Sequence, residues 1–152
     1  MLDITSDPFY CVSTSNSAKV FQSPQGDLMG GKRILVVEDN EDTREILLYR
    51  LQSMGDYEVI LASNGKEALE IATKSRPDLI IMDLKMPVMD GWETTKVLRE
   101  TNWGKNLPII ALTAQAMERD EEKALTAGCS DYIAKPIMDY AVLKRKIEKF
   151  FR

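Results

Sequence analysis

Four short apolar runs in this chain end on residues that could do chemistry. "RILVVE" closes on Glu38 and is followed by Asp39; "DLIIMD" closes on Asp83; "PIIALT" closes on Thr113, with Ala114 next; "DYIAK" closes on Lys135. A continuous apolar run of this length reads as a strand buried on both faces. A buried acid at its end is costly unless it is paired, protonated or bound to a metal. If these strands lie side by side, three carboxylates, one hydroxyl and one ammonium meet in one crevice. At roughly 4 Å and an effective dielectric near 20, each pair of carboxylates would repel by about 4 kcal/mol. One lysine cannot offset that, whereas a hard divalent cation can. Oxygen-only ligands favour Mg²⁺, Mn²⁺ or Ca²⁺ over zinc, and Mg²⁺ commonly combines one or two carboxylates with phosphate oxygens. The set therefore suits a metal together with a phosphoryl group. Asp83 is the candidate nucleophile, since a carboxylate can form an acyl phosphate. Glu38 and Asp39 would hold the metal, Lys135 would meet a phosphoryl oxygen as a point charge, and Thr113 would offer its hydroxyl beside the backbone N–H of Ala114. Such a transfer rests on positioning and charge neutralisation and needs no general base.

The elements that must position these residues alternate along the chain. After "RILVVE", the stretch "NEDTREILLYRLQSMG" has helical spacing, with Asn40 as N-cap and Gly55 as stop. "YEVILAS" is the second strand, and Asn64 caps a helix over "NGKEALEIATKS". The third strand is "PDLIIMD" and the third helix "GWETTKVLRET". "LPIIALTA" and "MERDEEKALTAG" form the fourth pair, stopped by Gly128, and "DYIAKP" and "MDYAVLKRKIEKFF" the fifth. Five strands alternating with five helices predict an α/β domain over residues 32–152, a parallel sheet with helices on both faces. Working sites of such sheets lie beyond the C-terminal strand ends. Residues 1–31 are rich in Ser, Thr, Asn, Gln, Pro and Gly, without a sustained period, and read as a flexible N-terminal extension.

Composition narrows the function further. A net charge of −4 gives no basic footprint for direct nucleic-acid binding. No apolar run approaches the roughly 18 residues of a membrane span, and the N-terminus lacks a secretory signal pattern. Cys11 and Cys129 read as two reduced thiols of a cytoplasmic protein. The chain has no histidine, which excludes a Ser-His-Asp triad, a histidine-ligated zinc and a phosphohistidine of its own. Any histidine in its phosphate chemistry must come from a partner.

Residues 33–152 resemble the receiver domain of bacterial two-component response regulators. The resemblance lies in "ILVVEDNED", "DLIIMDLKMPVMDGWE", "PIIALTA" and "GCSDYIAKPI", and in the intervals of 44, 30 and 22 residues from Asp39 to Asp83, Thr113 and Lys135 in turn. It implies a flavodoxin-like (βα)₅ fold with strand order 2-1-3-4-5. It makes Asp83 the phosphoacceptor of a phosphorelay, with Mg²⁺ (or Mn²⁺) held by Glu38, Asp39, Asp83 and the main-chain carbonyl of Lys85. Thr113, Ala114 and Lys135 would bind the phosphoryl group. Thr113 and Tyr132 would form a switch pair, and the Lys135–Pro136 peptide would be cis. The implied donor is a sensor histidine kinase or phosphotransfer protein. The implied output is a protein–protein contact with an unknown downstream protein, from a monomer or a phosphorylation-dependent homodimer. On this reading the chain is not an enzyme in the ordinary sense, catalysing only its own phosphotransfer and autodephosphorylation. It would be a single-domain response regulator or the receiver of a hybrid kinase.

Competing readings fit parts of the sequence. A turnover phosphatase would pass phosphate through Asp83 to water, and differs from a self-hydrolysing receiver in rate and substrate range. A haloacid-dehalogenase-type phosphatase also uses an aspartate nucleophile at a strand end, but needs a second acid two residues on, where Lys85 stands. A phosphate-independent interaction module would leave the full site set unexplained. Gly26 to Lys32 fits the first seven places of a P-loop, but Arg33 follows in place of Ser or Thr, and the strand comes after it rather than before. The last helix carries Lys144, Arg145, Lys146, Lys149 and Arg152. That run reads as a solvated face, or as a surface for an acidic partner or for the acidic fourth helix of another copy.

Overall fold

The computed structural model describes residues 11–15, 18–21, 31–86, 88–113 and 118–151. Seven strands and five helices follow in the order β1 (Cys11–Ser15), β2 (Ala18–Phe21), β3 (Lys32–Val37), α1 (Glu41–Met54), β4 (Tyr57–Ala62), α2 (Gly65–Ser75), β5 (Leu79–Asp83), α3 (Gly91–Glu100), β6 (Ile109–Thr113), α4 (Glu118–Ala127), β7 (Asp131–Ala134) and α5 (Tyr140–Phe150). They form one sheet in the order β1-β2-β4-β3-β5-β6-β7. From β4 to β7 all pairings are parallel. Counted from Lys32, this is the order 2-1-3-4-5 of the flavodoxin-like fold.

Alternation within the strands builds two cores. Ile34, Val36, Val59, Leu79, Ile81, Ile110 and Leu112 face α1 and α5, where they meet Leu47, Leu51, Leu143 and Ile147. Leu35, Val37, Ile60, Ile80, Met82, Ile109 and Ala111 face the other way, toward Ala68, Leu98 and Ala124. Each strand is apolar on both faces because each face is covered by helices. All five residues of β5 and of β6 are buried, so Asp83 and Thr113 are carried into the interior by their own strands.

Helix ends follow local chemistry. The side chains of Asn40, Asn64 and Asp90 each accept from a backbone N–H in the first turn of α1, α2 and α3. Gly128, at φ 109, supplies the left-handed residue after α4. Gly55 ends α1 in an extended conformation, so the helix stops there without a left-handed cap.

The N-terminal segment departs from expectation. Within the stretch read as a flexible extension, β1 and β2 pair antiparallel with each other, and β2 pairs antiparallel with β4, Val20 opposite Ile60. Strands of four and five residues are too short to show a hydrophobic period. What β2 offers is backbone hydrogen bonding to the edge of β4, which would otherwise present unpaired N–H and C=O groups, and β1 in turn pairs with β2.

Candidate functional site

Glu38, Asp39, Asp83 and Lys135 meet at the C-terminal ends of β3, β5 and β7. Glu38 follows β3 directly and is fully buried. Its Oε1 accepts from the backbone N–H of Asn40 at 3.2 Å, and its Oε2 lies 2.6 Å from Lys135 Nζ. Asp83, only 3% exposed, accepts at Oδ1 from the backbone N–H of Lys85 at 3.2 Å and lies 3.3 Å from Lys135 Nζ through Oδ2. Asp39 is exposed at the rim. One carboxylate oxygen from each of Glu38, Asp39 and Asp83 lies within 4.8 Å of the others. Three formal negative charges thus face one ammonium.

Their ionisation reflects that imbalance. Burial, with the charge of Asp83 adding to it, raises Glu38 from 4.5 to about 7, although the Lys135 hydrogen bond pulls the other way. Burial also raises Asp83 against the opposing charge of Lys135. Burial alone would lower Lys135, but its hydrogen bond to Glu38 and the charges of Asp83 and Glu38 outweigh that and raise it. A divalent cation would remove this strain by favouring both carboxylates in their charged form. The donor set is all oxygen and suits a hard cation.

Thr113, at the end of β6, is 3% exposed, and its buried hydroxyl has no hydrogen-bond partner among the described residues. A buried hydroxyl left unpaired costs about 1–3 kcal/mol, so a group bound at this strand end that accepted from Thr113 would recover that cost. Ala114 lies outside the described residues. Tyr132 is half-buried on β7, in register with Ala111. Side chains alternate along a strand, so Thr113, two residues past Ala111, shares the face of Tyr132. The Lys135–Pro136 peptide is cis.

Several supporting residues carry no signal of their own in the sequence. Arg44 Nη1 donates to the carbonyls of Glu38 at 2.8 Å and Asp39 at 3.1 Å, fixing the turn between β3 and α1. Gly91 packs so closely that a Cβ there would collide with the Asp83 carbonyl and Leu84 Cα. Its N–H donates to the Leu84 carbonyl at 3.0 Å, which folds the loop after β5 back over the strand end. Lys146, one of the basic run on α5, is tied to Asp131 at 2.7 Å. Cys129 is a buried free thiol, and no described helix is long and apolar enough to cross a membrane.

Comparison with known proteins places this geometry among relatives. A family model described as response regulator receiver domain matches residues 34–148. The polar-differentiation response regulator DivK of Brucella anthropi is 43% identical over 106 residues, which cover 70% of this chain and 85% of that protein. The receiver domain of the sensor histidine kinase PA1611 from Pseudomonas aeruginosa, solved with a magnesium ion coordinated in its active-site cleft, is 40% identical. That match has a TM-score of 0.73 and covers 80% of this chain and 98% of that one. The Saccharomyces cerevisiae receiver domain of Ssk1, solved with the histidine phosphotransfer protein Ypd1, is 33% identical. Its TM-score is 0.72, with coverage of 82% of this chain and 91% of that one.

Proposed function

The chain belongs to the response regulator receiver domain family of two-component signalling, and we propose that it takes a phosphoryl group from a partner's phosphohistidine onto Asp83. The observation that carries this reading is the grouping of Asp83 with Glu38, Asp39 and Lys135, beside strand β6, which ends in a buried Thr113 hydroxyl without a partner among the described residues. The donor would be a sensor histidine kinase or a phosphotransfer protein, since the chain has no histidine and the Ssk1 relative was solved with such a protein.

Asp83 supplies the attacking carboxylate oxygen. The new P–O bond forms as the P–N bond to the donor imidazole breaks, and the departing imidazole nitrogen takes up a proton from solvent. Glu38, Asp39 and Asp83, with the Lys85 carbonyl, would hold Mg²⁺ (Mn²⁺ has the same oxygen preference), which neutralises charge on the transferring group. Lys135 stands between Glu38 and Asp83, positioned to follow the phosphoryl oxygens. Thr113 would donate its hydroxyl to one of them, with the Ala114 N–H as a second donor. The movement of Thr113 draws Tyr132 inward along the shared face of β6 and β7, changing the surface near α5 that a downstream protein would read. The chain would turn over no separate substrate, catalysing only its own phosphorylation and the hydrolysis of its acyl phosphate.

The test is intact mass after incubation with acetyl phosphate, with and without Mg²⁺, for the wild type and Asp83→Asn. One added phosphoryl group, dependent on Mg²⁺ and absent from the variant, is the expected result. A wild type that stays unmodified with acetyl phosphate and with a phosphohistidine donor would overturn the reading.

A further inference from the structure

We infer that Lys146 is a positioning residue that holds Tyr132 at the outer rim of β7 and so sets how readily the site accepts a phosphoryl group. The inference rests on the phosphoacceptor reading above and concerns its regulation. Lys146 projects from α5 to the edge of the sheet. Its Nζ donates to Asp131 Oδ1 at 2.7 Å, and that same oxygen accepts from the backbone N–H of Tyr132 at 2.8 Å. The same ammonium lies 5.6 Å from the centroid of the Tyr132 ring. One cation therefore holds both the carboxylate that anchors the Tyr132 backbone and the face of the Tyr132 ring.

The contact is sheltered, with the Lys146 and Asp131 side chains 27% and 15% exposed. It is therefore screened less than a pair in open solvent. A cation over an aromatic face attracts it, and more strongly as water is excluded.

The register supplies the path the ring would take. Tyr132 lies opposite Ala111, and Thr113 stands two residues farther on the same face. Ala111 is the smallest side chain in that row, so a ring turning inward passes over a methyl group toward the Thr113 hydroxyl. On this proposal that turn takes the ring away from the Lys146 ammonium, which Asp131 holds at the edge of the sheet. Whatever favours the inward ring must overcome the Lys146 attraction, and by linkage removing the attraction must favour ligands that select the inward ring.

The experiment measures binding of beryllofluoride, a phosphoryl mimic, in the presence of Mg²⁺. The proteins are the full chain and the variants Lys146→Met, Lys146→Arg and Asp131→Asn. Each is labelled with 3-fluorotyrosine so that the Tyr132 ring, assigned through Tyr132→Phe, is read independently of affinity. Methionine keeps the aliphatic stem and loses the charge; arginine keeps the charge and its stacking. Lys146→Met should bind beryllofluoride roughly two- to five-fold tighter, the range a cation–π contact of this kind implies. Its Tyr132 resonance without beryllofluoride should shift toward the beryllofluoride-bound position. Asp131→Asn, which releases Lys146 from its anchor, should change both readings in the same direction, and Lys146→Arg should stay near wild type. A merely structural lysine would lower thermal stability without moving the ring resonance or the affinity. Wild-type affinity and an unmoved ring in both Lys146→Met and Asp131→Asn would overturn the inference while leaving the phosphoacceptor reading intact. Absence of beryllofluoride binding in every protein, the wild type included, would overturn both.

Discussion

Replacing Glu38 with glutamine should stabilise the metal-free protein at alkaline pH and abolish its response to Mg²⁺. Glu38 is fully buried, and burial raises it from 4.5 to about 7, a rise of about 2.5. At roughly 1.36 kcal/mol per pKa unit, this corresponds to about 3 kcal/mol between its charged and neutral forms. The native state binds the Glu38 proton more tightly than the unfolded chain does. Stability from this group is therefore fully present below about pH 4.5 and is lost as pH rises through about 7. The glutamine of the variant cannot titrate, and groups remote from the cluster cancel in the difference. Urea unfolding in EDTA, followed by circular dichroism from pH 4.5 to 8.5, should show the variant gaining about 3 kcal/mol on the wild type across that window. Added Mg²⁺ at pH 8 should raise the wild-type midpoint, because a cation that binds only the native state stabilises it by mass action. It should leave the variant almost unmoved. A stability difference that stays flat with pH would refute the claim that the buried Glu38 charge is a burden of the metal-free fold.

Three further outcomes follow from the same geometry. Thr113→Val removes a buried hydroxyl that lacks a partner among the described residues, so the metal-free protein should gain about 1–2 kcal/mol in urea unfolding while its phosphorylation by acetyl phosphate slows; a loss of stability would show that the hydroxyl is satisfied. Gly91→Ala drives a methyl group into the Asp83 carbonyl and Leu84 Cα. It should cost about 1–3 kcal/mol and weaken Mg²⁺ binding, and an unchanged melting temperature would show that the loop gives way. Deleting residues 1–30 removes β1 and β2 and uncovers the edge of β4. Hydrogen exchange should then accelerate at alternate amides from Val59 to Leu61, and protection equal to the full chain's would contradict the pairing.

Much of this architecture is legible because burial leaves a strong trace. A strand covered on both faces must be apolar throughout, so Leu79–Asp83 and Ile109–Thr113 stand out, and the polar residue at each end stands out with them. Their convergence needs the strand order, which comes from the family resemblance rather than from any period. Residues acting through backbone atoms are hidden. Arg44 serves carbonyl oxygens, for which no residue type is diagnostic. Lys146 reads as one more solvated lysine because its partner lies 15 residues away, on another element. The hairpin escapes notice for a related reason: β2 is specified by backbone pairing to β4 and β1 by pairing to β2, and the polar composition of the segment that holds them is what disorder also looks like.

The placement of that hairpin sets where attachments to the chain can go. From β1 to β7 the sheet crosses six inter-strand gaps, about 29 Å at roughly 4.8 Å each. The chain enters the sheet at Cys11, on the rim opposite β7, Tyr132 and Lys146. A fluorophore or surface tether joined ahead of Cys11 is therefore anchored a full sheet width from Tyr132 and Lys146, so it would report on a partner recruited to that rim, as proposed above, without competing for it.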